Sequence, residues 1–150
     1  MKAGSRDAWT MVLAASAFAT LFALSFVATP VKFLAANVPI EHLLAVGRVT
    51  FRASLGVESV IVALLLLIAR GRVRWLVMGS VAVLLAQWLI LMPRLDERTL
   101  ARMAGAILES SALHHWWIVL DIARLAIYAV ILHKAQHALR PTQPNDRLRS

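Results

Sequence analysis

The chain has 150 residues, 60% of them hydrophobic, with a mean hydropathy of +0.72 and a formal net charge of +8. Soluble domains hold nearer half apolar residues, so the composition points to a membrane protein. With no cysteine, disulfides, thiolate metal sites and cysteine nucleophiles are excluded.

Met1 to Asp7 is a short polar lead with Lys2 and Arg6. From about Ala8 to Thr29 there is no charge, ~22 residues that can cross a ~30 Å hydrocarbon core. The run is too long for the ~7–15 residue core of a signal peptide, so a retained helix is expected, ended by Pro30. Helix two is predicted from Pro39, where proline suits a first turn, to Ala69, passing Glu41, Arg48, Arg52 and Glu58. At ~46 Å it exceeds a bilayer core, so its first turns should project and the span proper runs from about Phe51.

Arg70 to Arg74 forms a tight basic turn. Segment three follows from Trp75 to Met92 and is expected to stop at Pro93, with Gln87 its one strongly polar interior side chain. Between Arg94 and Ser111, Asp96 can cap a short helix. Leu100, Met103, Ala104, Ile107 and Leu108 then repeat at helical spacing, which predicts a helix in the interface plane. Ser110 or Ser111 caps the fourth segment, Leu113 to Leu132. The expected architecture is all-α: a four-helix transmembrane domain over 1–139 and a polar, disordered cytoplasmic tail over 140–150.

Four spans place both termini on one side. That side carries nine Lys and Arg residues, against six on the other, which favours cytoplasmic termini and the cytoplasmic membrane. The basic residues flank apolar runs, as lipid headgroups require, so the bilayer is the expected partner and nucleic acid is not. Trp9 and Trp75 mark the inner boundary, and Trp88, Trp116 and Trp117 the outer one.

Segment four holds an acid and a base in its interior. At ~100° per residue, His114, Trp117, Asp121, Arg124 and Tyr128 share one side, which should face inward because charge in a span is costly. Counted from the outer boundary, Glu58 lies ~10 Å deep, Gln87 ~9 Å, Asp121 ~12 Å and Arg124 ~16 Å. Four polar side chains from three helices therefore share a layer. Asp121 and Arg124 can pair along one helix, and Glu58 can join the arginine, which would make helices two and four neighbours. Such a layer either fixes helix packing or forms an ion, proton or ligand site, with Glu58, Gln87, Asp121, Arg124 and His114 as candidate ligand-binding residues.

Weaker signals are His42, His114 and His115 for haem or metal, and His133 with His137 at i, i+4 for metal. Adjacent His114 and His115 point to different helix faces, and His133 and His137 lie at the frayed cytoplasmic end with no acid nearby, so neither metal nor cofactor is expected. No phosphate-binding loop, dinucleotide turn, nucleophile elbow or zinc-protease motif occurs.

The order Val27-Ala28-Thr29-Pro30, Val46-Gly47-Arg48-Val49-Thr50-Phe51, Pro93 to Arg98, Gly105, Ser111, His114, and then Asp121 with Arg124, covers roughly Ser25 to Tyr128. It resembles small bacterial four-helix membrane proteins of the transmembrane protein 205-like family. That family more often has Glu with Lys in helix four, so Asp121 and Arg124 depart from it while keeping the charges. The resemblance implies the four-helix architecture, emphasises His114, Asp121 and Arg124, and supplies no reaction. The expected function is a non-enzymatic accessory or interaction subunit, with a membrane protein or a second copy as partner. The alternatives are a transporter or ligand-binding protein using the polar layer, and a redox or haem protein.

Overall fold

A computed structural model describes residues 3–140 apart from Leu108 and Ser110. The N-terminal Lys2, the capping role of Ser110 and the tail over 141–150 lie outside the described residues. Within them the regular structure is helical, and four runs are long and apolar enough to cross a membrane. These are α1 (Gly4–Lys32), α2 (Ile40–Ile68), α3 (Gly71–Met103) and α4 (Leu113–Leu139). The 27-residue α4 is the shortest and still reaches ~40 Å.

Two expected helix ends are not ends. The helix passes through Pro30 to Lys32 and through Pro93 to Met103, because a widened turn precedes each proline. The Phe22–Ala28 and Gln87–Leu91 stretches are π-helical, and the Thr29 and Met92 amides donate to the carbonyls of Leu24 and Gln87, five residues back. A proline ring clashes with the carbonyl four residues before it and offers no N–H. A π turn carries an extra residue and opens that wall, so the helix continues. Thr29 Oγ1 also donates to the Leu24 carbonyl at 2.8 Å.

The segment expected as a separate helix capped by Asp96 is thus the distal end of α3. It stops at Met103, short of Ile107. Gly105 takes φ 87°, its N–H donates to the Arg102 carbonyl and that of Ala106 to the Ala101 carbonyl, which closes a Schellman cap. At the other end α2 and α3 are joined across Ala69 and Arg70, with Gly71 at φ 53° allowing the tight reversal.

The helices alternate in direction and form a square. α1 packs on α2 and α4, and α3 packs on the same two, so α2 and α4 face each other diagonally rather than side by side. The expected adjacency of helices two and four does not occur. The half of the bundle near the termini is filled by Ala14, Ala17, Val62, Leu65, Val77 and Ile131, all at most 2% exposed. Small alanines on α1 let α4 approach closely, as small residues do in membrane helix pairs. Trp117 joins the core instead of anchoring a boundary: it is buried, with its ring 5.1 Å from that of Phe51, while Trp116 is exposed.

Candidate functional site

Glu58, Gln87, Asp121, Arg124 and Tyr128 are each at most 1% exposed and meet at the bundle centre. Arg124 Nη1 donates to Glu58 Oε2 at 2.8 Å and Arg124 Nη2 to Asp121 Oδ1 at 2.7 Å. One guanidinium thereby spans the diagonal between α2 and α4, which a planar fork on a long stem can do and a backbone contact cannot. Gln87 Nε2 donates to the same Asp121 Oδ1 at 2.8 Å, tying in α3. Tyr128 donates to Glu58 Oε1 at 3.2 Å and accepts from Ser80 Oγ at 2.9 Å.

Two carboxyls face one guanidinium, so the cluster has a formal excess of one negative charge. Both Glu58 oxygens are bonded. Asp121 Oδ2 is different: it is buried and has no hydrogen-bond partner among the described residues. The Gln87 carbonyl oxygen, Arg124 Nε and Trp117 Nε1 are also without partners. A buried polar atom left unpaired is costly, which marks this side of the network as unfinished within the chain.

Two of these residues, Asp121 and Trp117, border open space. A slot of about 290 Å³ between α1 and α4 has Asp121 and Trp117 at its deep end, with Ser25, Phe26, Phe51 and Ile118 along its walls. Ser25 and Phe26 come from the first π turn, and Gln87 opens the second. A larger vestibule of about 430 Å³ lies above, toward the ends of the bundle that carry the 33–39 and 104–112 connections. Thr29, Phe33, Phe51 and His114 line both spaces, so the two adjoin.

The vestibule wall is cationic. Lys32, Arg48, Arg98 and Arg102 line it, with Asp96 and Glu109 as its acids. Asp96 is spent on two arginines of α2: Arg48 Nη2 donates to it at 2.9 Å, Arg48 Nε bonds its other oxygen, and Arg52 Nη2 donates at 2.6 Å. Arg98 donates to the Glu109 backbone carbonyl. Lys32 Nζ lies 5.0 Å from the Phe33 ring centroid and 5.5 Å from that of Phe51. The ammonium sits against Gly47, where a Cβ would displace the flexible end of the lysine.

Of the residues singled out in the sequence, Glu58, Gln87, Asp121 and Arg124 come together in one hydrogen-bonded network. His114 is apart from it, on the wall shared by vestibule and slot, while His115 and His42 are exposed elsewhere. His133 and His137 stack edge to face at 4.4 Å. Among the described residues no three His, Asp or Glu side chains converge as a metal ion requires. Sequence reasoning missed Ser80, which looks like any small packing residue, and the bond from Trp88 Nε1 to Ser59 Oγ at 3.2 Å. Tyr128 had the right helix face but no assigned role.

No protein-family model, curated protein or solved structure matches the chain. The chemistry must come from the site alone. Of the network, Asp121 alone lines the two-part cavity, and Arg124 holds it from behind. That arrangement suits holding a ligand; among the described residues it presents no activated nucleophile.

Proposed function

We propose that this is a multi-pass protein of the cytoplasmic membrane that binds a small ligand entering from the outer face. The observation that carries the proposal is Asp121, a buried acid that lines the deep end of a cavity and has one carboxylate oxygen, Oδ2, without a hydrogen-bond partner among the described residues. Ionisable groups inside a hydrophobic layer generally mark a ligand, ion or proton path. The bias of nine basic residues against six supports termini in the cytoplasm and a vestibule opening outward. The amphipathic turns of α3 beyond Pro93 then lie at the outer headgroups. The likeness to the transmembrane protein 205-like family supports the four-helix architecture.

The apolar layer from Ala14 to Ile131 closes the cytoplasmic half, so the cavity opens on one side. Binding needs nothing more; carrying a solute across would need the helices to rearrange, or a second copy to complete a path.

The absence of native cysteine makes the test clean. Single variants Thr99→Cys in the vestibule, Ser25→Cys in the slot and Ser80→Cys beneath the network are treated with a small, charged, membrane-impermeant thiol reagent. The first two should react from the outer face and the third from neither. An unreactive Ser25→Cys would show the slot closed to water. The polar layer would then be a packing device, leaving a non-enzymatic accessory or interaction subunit as the function.

A further inference from the structure

The ligand site proposed for the outer cavity also specifies what kind of molecule fits it; the step below rests on that site. The two spaces differ in character. The slot walls are aromatic and aliphatic, with Phe26, Phe51, Trp117 and Ile118 facing inward. The vestibule presents cations in excess. Lys32, Arg98 and Arg102 have no carboxylate within ion-pair distance among the described residues, and Arg48 already shares Asp96 with Arg52. Glu109 is the one acid on the wall outside that pairing. Its single charge leaves the three cations undercompensated.

A cation on a vestibule wall is stabilised by an anion, and an apolar slot by displacing water from its walls. Asp121 sets the direction. An anionic head at the deep end would meet the acid Asp121, so the head stays in the vestibule and the apolar body points inward. We infer that vestibule and slot together bind one amphiphile with a phosphate or carboxylate head. Its head lies against Lys32, Arg98 and Arg102, and its apolar body against Phe26, Phe51 and Trp117. A hydroxyl or amide N–H at the inner end of the body would lie beside the Asp121 carboxyl. The same head chemistry occurs on a soluble alkyl phosphate and on an anionic phospholipid from the outer leaflet.

Trp117 reports slot occupancy directly. A variant keeping only this tryptophan, with Trp9, Trp75, Trp88 and Trp116 replaced by Phe, is placed in nanodiscs of phosphatidylcholine. Brominated dodecyl phosphate and brominated dodecanol are added as quenchers, and a second set of discs contains brominated phosphatidylglycerol. The phosphate should quench Trp117 saturably and bind at least tenfold more tightly than the alcohol. Lys32→Gln and Arg102→Gln should each weaken the phosphate about fivefold, the effect of one cation near an anionic head, and leave the alcohol unchanged. Quenching by the alkyl phosphate identifies a soluble amphiphile, and quenching confined to the brominated phospholipid identifies a lipid; either supports the inference. Equal affinity for phosphate and alcohol, insensitive to Lys32→Gln, would overturn the anionic head while leaving the cavity a binding site. No quenching by any probe would remove the site itself. Should the tryptophan replacements prevent folding, native mass spectrometry of the unaltered chain with the same two probes gives the phosphate-to-alcohol preference.

Discussion

Arg124 is the residue on which the centre of the bundle depends. It compensates Glu58 and Asp121 at once, and its own desolvation is offset only because both carboxyls reach it. The three positions are therefore unequal. Glu58→Gln or Asp121→Asn leaves one acid with one base, a neutral pair with most hydrogen bonds intact. Arg124→Gln leaves two buried carboxyls facing each other without a cation. We expect Arg124→Gln to cost ~3–5 kcal/mol, the usual penalty for breaking a buried pair, and each amide variant clearly less. Melting temperatures in a single detergent decide it, and an acid-to-amide loss equal to that of Arg124→Gln would contradict the charge count. The members of this cluster were legible from the chain because a charge stands out in an apolar run and depth can be counted in residues. Its hydrogen bonds were not. Ser80 belongs to the network only because Tyr128 reaches it across the α3–α4 seam.

At the scale of the element, proline misled. Pro30 and Pro93 look like helix ends, and the sequence carries no mark of the π turns that let the helix pass. What the sequence lacked was the packing: α3 continues past Pro93 so that Asp96 can meet Arg48 and Arg52 on α2. The extra residue in the π turn sets the angular position of everything beyond it. With Pro93→Ala the clash with the Leu89 carbonyl disappears and the ordinary α turn is again available. Reverting to it would rotate the distal turns by ~100° and carry Asp96 off the α2 face. A short bismaleimide should link Arg48→Cys to Asp96→Cys efficiently in the proline chain and much less in the alanine one. Equal yields would mean that packing, not the proline, maintains the π turn.

Across the whole molecule, four apolar helices of similar length could pack in several orders with little to separate them, since helix contacts in a bilayer lack a hydrophobic driving force. The periodicities that revealed each helix say nothing about which becomes the neighbour of which. That is why the diagonal relation of α2 and α4 was not legible although the bond between them was. The polar network can supply the missing information: in the observed square one guanidinium, two carboxyls and one amide meet at one point. If so, specificity and stability should separate. Replacing Glu58, Asp121 and Arg124 together by Leu removes all three charges and their desolvation. The triple variant should therefore melt closer to the parent chain than Arg124→Leu alone, which strands both acids. The same variant should lose definition, with poorer dispersion of its amide resonances as alternative helix orders become accessible. Melting temperature and a two-dimensional amide spectrum of the parent, Arg124→Leu and the triple variant measure the two effects separately. A triple variant less stable than the single one would show that the charges stabilise the fold outright. A stable triple variant with fully dispersed resonances would show that the helix order is written in the apolar packing instead.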